Sequence, residues 1–446
     1  MKVSVSYAEI WRISWPIMLG SLANTIINFT DVAFVSRVGE KELAASALGG
    51  VFYFLLVMTG MAFAVGSQIL IARREGEGRK PDSGVIFDNS LVLLSLFAFF
   101  SVLLVYSILP KLIGLLVSDH LVAQATVTYL QARGWGIVFM MLLVALRAFY
   151  TGIALTRMIT FANVVMMLLN VLFNYLLVPG NWGIPPMGIA GSGLASALAE
   201  SSAALMMLLA TIFNSRLRDY GLFRFVAIKR SEIAVLIELS LPIMLQHLLS
   251  MGSWFFFFLM IEKLGSRELA VSNVVRSIYM VLMTPVWGIS QAANSMVSNL
   301  IGQDRQDEVM VLAGKLVRLS LLIGLITIML GFLFRDPLFS LSSADAALRQ
   351  DALPGYYVIS VATVFFSMAM ILLSSVSGTG STAASMRIEV VSLVVYVLYI
   401  IAFTIVWPMS AEVVWGSEVC YWILLGVFSY RYLSSSRWRS IAARYN

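Results

Sequence analysis

Apolar residues run along the chain in long blocks separated by short polar stretches. Twelve of these blocks are long enough to cross a bilayer, for which about 20 residues suffice. Six fall near 10–35, 46–72, 87–109, 130–153, 159–178 and 188–213, and six more near 234–261, 272–300, 313–334, 355–377, 388–407 and 411–433. The breaks between them leave no room for a sizeable soluble domain. The opening stretch holds Lys2 and Glu9 but no cleavage pattern after a short apolar core, so it reads as retained rather than as a removable signal peptide.

Composition agrees with that pattern. Of 446 residues 60% are hydrophobic and 12% charged, where a soluble domain carries about 25% charged residues, and the mean hydropathy is +0.89. The fold class is an all-α polytopic membrane protein with twelve transmembrane helices. The single Cys420 excludes a disulfide framework and a Cys-rich zinc site. Two histidines, His120 and His247, stand in no metal-binding spacing, which removes metal catalysis. The net charge of +6 gains meaning from where the cations lie. Loops on the side of the termini hold 20 lysines and arginines, whereas the opposite side holds Arg37, Lys41, Lys111, Arg133, Lys263, Arg267, Arg335 and Arg349, and Arg147 and Arg276 lie within spans. Cytoplasmic loops collect Lys and Arg, so both termini are expected in the cytoplasm, with the protein in the plasma (inner) membrane. The basic stretches Arg73 to Lys80 and Arg216 to Arg230 then set topology and need no nucleic-acid partner.

The chain is also a tandem duplication. Trp15-Pro-Ile-Met-Leu recurs as Leu241-Pro-Ile-Met-Leu, an offset of 226 that places Gly39-x-x-Glu42-Leu-Ala on Gly265-x-x-Glu268-Leu-Ala, Tyr53 on Tyr279 and Gly76 on Gly302. From Pro16 to Arg79 there are 15 identities in 64 positions. Each copy carries six spans, an even number, so both enter the membrane in one orientation and are expected to be related by an axis along the membrane normal, as in secondary transporters. The domains read as an N-terminal lobe 1–215, a cytoplasmic linker 216–231 and a C-terminal lobe 232–446.

Ionisable groups inside spans point to function or pairing. Asp31 lies about one turn before the outer end of span 1. Asn170 and Asn174 are spaced i, i+4 in span 5, which puts both amides on one face, and Ser196 lies about two turns into span 6. These groups can meet at one depth. A carboxylate, two amide oxygens and a hydroxyl can hold a small hard cation, Na+ at Asp31, Asn170 and Asn174, or the carboxylate can carry a proton. The alternatives are a helix-end acid at Asp31 and asparagines that merely hydrogen-bond between helices. At the offset of 226 Asp31 falls on Phe257, Asn170 on Tyr396, Asn174 on Ile400 and Ser196 on Trp422. Coupling is therefore expected in the N-terminal half, with an aromatic and aliphatic wall in the C-terminal half. Glu200, near mid-membrane in span 6, can pair with Arg147 in span 4, which can instead snorkel to the cytoplasmic surface. His247 can titrate or simply pack as a hydrogen-bond donor. Trp254 and the phenylalanines after it read as lipid-facing or core.

No GxxxxGK[ST] loop is present, so ATP is not bound by that route, and the energy source is expected to be an ion gradient. No catalytic constellation can be assembled at one depth, so no enzyme is expected.

Pro16 to Ala45, with Asp31 followed by Arg37-Val-Gly39-x-x-Glu42-Leu-Ala-Ala, resembles the first helix and loop of the multidrug and toxic compound extrusion (MATE) transporters. Asn170-Val-Leu-Phe-Asn174-Tyr-Leu-Leu-Val and Gly188-Ile-Ala-Gly191-Ser-Gly193-Leu-Ala-Ser196 resemble that family's helices 5 and 6, and Leu146-Arg147-Ala148 with Gly152 and Gly378-Thr-Gly380 resemble the ends of helices 4 and 10. The resemblance covers nearly the whole chain and is closer to the DinF-type than to the NorM-type branch. It implies a V-shaped pair of six-helix lobes that exports organic, often cationic, compounds in exchange for Na+ or H+, with Asp31, Asn170, Asn174 and Ser196 as the N-lobe cation site. The chain departs from the family at Ser250, where the NorM-type branch has a glutamate eight residues after the helix 7 proline, and at Asn174, where the DinF-type branch often has an aspartate.

The leading functional expectation is a cation-coupled, monomeric exporter of amphipathic small molecules that works by alternating access and needs no cofactor. Asn24, Asn28, Tyr53, Met140, Met166 and Trp287 are the expected substrate contacts, and the 24 methionines suit a yielding cavity. A flippase for a lipid-linked saccharide is the alternative, but it calls for several cations to hold pyrophosphate. A scaffold or receptor would explain the repeat and not the asymmetric polar set.

Overall fold

The structure is a computed structural model, and it describes residues 2–225, 230–342 and 345–445. Part of the expected linker, 226–229 with Lys229, lies outside the described residues. No strand occurs among the described residues. In a bilayer the backbone must satisfy its own hydrogen bonds, and helices built from long apolar runs do so within one segment.

The first half contains α1 (Tyr7–Val35), α2 (Glu40–Glu77), α3 (Lys80–Ser107), the short α4 (Leu109–Leu116), α5 (His120–Gly134), α6 (Gly136–Gly152), α7 (Arg157–Leu177) and α8 (Gly188–Phe213). The second contains α9 (Arg230–Glu262), α10 (Ser266–Gly302), α11 (Val309–Leu333), α12 (Arg335–Ser342), α13 (Ala346–Asp351), α14 (Leu353–Gly378), α15 (Thr382–Ile401), α16 (Ala411–Ser434) and α17 (Arg437–Ala442). Among the described residues eleven helices are each long and apolar enough to cross a membrane, and α5 with α6, bent by 51°, qualify together as a twelfth. Twelve spans were expected, but the fourth reaches back to His120 instead of starting near 130. Its start is masked in the sequence by Gln124, Thr126, Thr128 and Gln131, which interrupt the apolar residues of α5.

Two compact units emerge, Leu19–Ser240 and Met1–Met18 together with Leu241–Asn446. Both boundaries fall within long helices and beside their prolines, Pro16 in α1 and Pro242 in α9. Proline removes an intrahelical hydrogen bond and clashes with the preceding turn, so each helix is weakest there. The two prolines are equivalent positions of the repeat.

Within the unit Leu19–Ser240, α8 packs against α5, α6 and α7. Its buried face is made of small residues, among them Gly191, Gly193, Ala195, Ala197 and Ala199, which let helix backbones approach closely. A Cβ at Gly193 would meet the Tyr129 carbonyl oxygen at 2.7 Å, and one at Gly191 the Leu177 carbonyl oxygen, also at 2.7 Å. This close approach carries Ser196 and Glu200 to the neighbouring helices. Helix α2 ends where Gly78 adopts a left-handed φ of 79° and its N–H donates to the Glu75 carbonyl. At the other end of the unit Asp119 caps α5 by accepting from Leu121 N and Val122 N and pairs with Lys41 at 3.2 Å. The backbone N–H of Leu121 and the Lys41 ammonium hold its carboxyl below the usual range.

The chain after α8 is fastened to the same unit. Asp88 accepts from the backbone N–H of Phe223 (2.8 Å) and Phe225 (2.9 Å), Tyr220 donates to Glu75 (2.9 Å), and Phe223 sits edge-on to Phe87. In the other unit α14 packs against α10, α11 and α16, around a core that includes Phe257, Tyr279, Phe366, Trp415 and Trp422.

Gly84 on α3 lies under that fastening, and a Cβ there would fall 1.9 Å from the Tyr220 carbonyl oxygen, whereas Gly50 on α2 has open space around it. Gly84→Val should therefore lower stability by about 1–3 kcal/mol, while Gly50→Ala should leave it unchanged or raise it by about 0.5–1 kcal/mol. Thermal unfolding of the two variants in detergent checks this, and equal shifts would contradict the packing described.

Candidate functional site

Two polar clusters lie in the unit Leu19–Ser240. The first gathers the four groups expected from the sequence. Asp31, half-buried on α1, accepts through Oδ1 from Asn170 Nδ2 (3.0 Å) and Asn174 Nδ2 (2.7 Å), and through Oδ2 from the Ser196 hydroxyl (2.9 Å). Asn170 Nδ2 also reaches Ser196 Oγ at 3.2 Å, and Asn174 Nδ2 the Asn170 carbonyl at 3.0 Å. The i, i+4 spacing on α7 brings both amides to one carboxylate, and the small-residue face of α8 brings in Ser196. Both asparagines are fully buried, yet their Oδ1 atoms have no hydrogen-bond partner.

A buried unpartnered acceptor is rare and calls for a reason. Every donor on Asp31 is neutral, and among the described residues it forms no ion pair. The cluster thus combines a carboxylate with no ion-pair partner among the described residues and two spare amide oxygens beside it. Rotating either amide would turn an oxygen toward the carboxylate, so the group can take up a small hard cation through carboxylate, amide and hydroxyl oxygens, or a proton on the carboxylate. The residues present fit either ion.

The second cluster corrects an expectation. Glu200 does not pair with Arg147; its Oε1 accepts from Arg133 Nη2 at 2.9 Å, and its Oε2 from the Tyr53 hydroxyl. Arg133 also donates to Tyr129 OH (2.6 Å), and its guanidinium lies 4.1 Å from the Tyr53 ring centroid. It had been assigned to the side of the membrane opposite the termini, but it lies on α5, inside the bent span, and its charge also acts on Asp31. Arg147 instead donates to Asn163 Oδ1. The reason is geometric: Arg133 closes the α5 turn that packs on α8, whereas Arg147 is engaged by α7.

The remaining expected positions are scattered. Tyr53, Met140 and Met166 are buried within Leu19–Ser240, Asn24 is half-buried, and Asn28 is exposed. Trp287, in the other unit, is half-buried and meets Phe366 edge-on at 6.3 Å. His247 is bound through Nδ1 to the Ile243 carbonyl of its own helix at 2.9 Å.

The second half is mostly aromatic and aliphatic, as expected, but two buried carboxylates that the sequence reading passed over stand in it. Glu418 on α16 accepts from Tyr396 (3.0 Å), Tyr279 (3.1 Å), Trp422 (3.0 Å) and Trp254 (3.2 Å). Glu389 on α15 accepts from Ser250 and Tyr421. A signal for Glu418 was present in the repeat: Tyr53 and its equivalent Tyr279 each donate to a glutamate on the last span of their own half, although Glu418 lies eight residues short of the position equivalent to Glu200.

Comparisons with known proteins agree with this architecture. The MatE family model matches residues 16–176 and again 242–402, which reproduces the offset of 226. A probable multidrug resistance protein NorM of Agrobacterium fabrum is 26% identical over 295 residues, 65% of this chain and 62% of that protein, so the match spans less than two thirds of its length. A second probable NorM, from Bradyrhizobium diazoefficiens, is 25% identical over 98% of this chain and 94% of its own. The multidrug resistance protein PmpM of Pseudomonas aeruginosa is 24% identical over 78% of this chain and 73% of its own. Among solved structures, the outward-facing conformation of a multidrug resistance MATE family transporter of the MOP superfamily superimposes with a TM-score of 0.89 at 19% identity, covering 98% of this chain and 96% of that one. A MOP superfamily transporter from Pyrococcus furiosus gives 0.88 at 19% identity, with 96% of each chain covered. These likenesses show the fold.

The pairing of Glu200 is open to a double-mutant cycle. Removing one partner of a buried ion pair costs about 3–5 kcal/mol. Arg133→Met should therefore destabilise the protein strongly, and Glu200→Gln should recover part of the loss in the double variant. Arg147→Met and Glu200→Gln should be nearly additive in thermal unfolding; strong coupling of that pair with none for Arg133 would contradict the assignment.

Proposed function

Since the chain belongs to the MatE family, we propose that it is an integral membrane, secondary active exporter of amphipathic, cationic organic compounds, coupled to inward movement of H+ or Na+ by alternating access. The observation that carries this reading is Asp31, a carboxylate met by three neutral donors with two unpartnered amide oxygens at its side. Uptake of a cation there neutralises the carboxylate and releases the amides that bind it. That exchange alters how α1 is held to α7 and α8, and departure of the ion restores it. The ion arrives down its gradient as substrate leaves.

The relatives' names, multidrug resistance proteins, support the substrate class. The reading is independent of branch: those relatives carry NorM-type names, whereas the chain has Ser250 where that branch places an acid. In this reading the protein is a monomer in the plasma (inner) membrane with both termini cytoplasmic, and 1–215 and 232–446 form its lobes, joined by 216–231. Asn24, Asn28, Tyr53, Met140, Met166 and Trp287 contact substrate. Neither nucleic acid nor ATP takes part.

A flippase for a lipid-linked saccharide is less well supported. Its pyrophosphate needs available cations, but Arg133 is engaged by Glu200 and Arg147 by Asn163.

Efflux of a fluorescent organic cation from proteoliposomes, under a proton gradient and a Na+ gradient imposed separately, tests the proposal. Flux should follow one gradient and fall to the passive leak in Asp31→Asn, with the variant still folded. A fully active Asp31→Asn protein would contradict it, and no wild-type flux under either gradient would favour a lipid substrate.

A further inference from the structure

Ser196 and Glu200 stand one turn apart on α8 and serve different clusters. Ser196 donates to Asp31 Oδ2 at 2.9 Å, whereas Glu200 accepts from Arg133 Nη2, also at 2.9 Å. Side chains at i, i+4 on a helix lie about 5–6 Å apart at Cβ, so the two carboxylates are near neighbours, and the charge of Arg133 acts on both. Helix α8 carries no other ionisable residue. Arg147 of α6 also acts on Glu200, but Asn163 of α7 holds its guanidinium. Two carboxylates one turn apart therefore share Arg133.

Its hold on Glu200 is incomplete. A guanidinium offers five N–H donors, and a strong pair with a carboxylate uses two of them in parallel. Here Nη2 alone meets Glu200, Nη1 turns to the Tyr129 hydroxyl at 2.6 Å, and Nε is buried with no partner among the described residues. The other carboxylate oxygen is kept by the Tyr53 hydroxyl, and the guanidinium lies 4.1 Å from the Tyr53 ring centroid. Glu200, Tyr53 and Tyr129 are all buried, and Arg133 itself is half-buried. A desolvated carboxylate beside an aromatic face is the chemistry that recognises an organic cation. In this structure the cation in that box is the chain's own, on a short tether.

We propose that Glu200, Tyr53 and Tyr129 form an organic-cation site that Arg133 occupies as a tethered ligand, and that Arg133 passes from Glu200 to Asp31 when a free cation takes its place. An incoming cation neutralises Glu200 and leaves the guanidinium over. Unpaired in the interior it is costly, and Asp31, one turn away, is the carboxylate that can accept it. Asp31 does so only when it holds no ion. Conversely, an ion on Asp31 keeps Arg133 on Glu200 and the box filled. Two carboxylates with one tethered cation leave room for one mobile cation at a time, so organic cation and coupling ion exclude each other through Arg133, without the organic cation touching Asp31. The part this exclusion plays in transport rests on the exporter reading; the contents of the box do not.

Equilibrium binding of ethidium, a fluorescent aromatic cation, to the full-length protein in lipid nanodiscs tests this. Wild type should bind it best in Na+-free, mildly alkaline medium, and about tenfold or more weakly once Na+ or acid loads Asp31. Arg133→Gln lacks a competitor whose tether gives it an effective concentration in the millimolar range, so in the loaded medium it should bind about tenfold or more tightly than wild type. It should also lose most of the response to Na+ and acid, which a merely structural arginine would not govern. Arg133→Gln with Asp31→Asn should still bind ethidium, whereas Arg133→Gln with Glu200→Gln should not. Arg133→Lys keeps the charge without the planar fork; it should bind ethidium more tightly than wild type and keep the ion response, and it carries the test if Arg133→Gln fails to fold. Affinity at or below wild type in the folded variants, an ion response that survives in Arg133→Gln, or no ethidium binding to any of them would overturn the proposal. Because binding is read without a gradient, efflux from proteoliposomes judges the exporter reading separately: tighter binding by Arg133→Gln without gradient-driven efflux by wild type would leave the site standing and remove that reading.

Discussion

A carboxylate buried among apolar helices has to find its partners inside the bundle, and the polar organisation of this protein follows from that constraint. Glu200, Glu389, Glu418 and the half-buried Asp31 meet it differently. Glu200 has a resident arginine. Glu418 has four neutral N–H and O–H donors and no counter-charge. Asp31 has three neutral donors with two idle amide oxygens nearby, and Glu389 has neutral donors, one of which can also accept. Glu200 is thus paired with a resident arginine, whereas the other three have no ion-pair partner among the described residues.

The backbone makes this possible through small residues. The Gly and Ala face of α8 brings its helix close enough to α5 and α7 for Ser196 and Glu200 to reach across, and a Cβ at Gly191 or Gly193 would push these helices apart. In the second unit the equivalent depth is filled with large aromatic rings, and Trp415 packs at 4.7 Å between ring centroids on Phe257, the repeat equivalent of Asp31. Duplication kept the helices and the tyrosine that bonds a final-span glutamate, while the cores diverged from small and polar to aromatic.

Much of this was legible in the sequence. Long apolar runs give the spans because the bilayer sets one length for all of them, and a gapless offset gives the repeat. Asn170 and Asn174 could be joined to Asp31 because i, i+4 spacing fixes a common helix face. Arg133 was assigned to the outer side, because α5 interrupts its apolar residues with Gln124, Thr126, Thr128 and Gln131 before the bend at Trp135. Glu389 lies at the very start of its apolar run, where a charge does not stand out against the polar residues before it. Which arginine Glu200 chooses depends on side-chain reach across three helices, which no periodicity encodes.

In the proposed exporter an ion enters at the Asp31 cluster as substrate leaves. Simultaneous recording of internal pH or internal Na+ and of substrate efflux in one proteoliposome preparation measures that link most directly. The account predicts ion influx only while substrate leaves, in a fixed ratio, with both lost together when Asn170 and Asn174 are replaced by leucine. Sustained substrate efflux with no accompanying ion movement would contradict it.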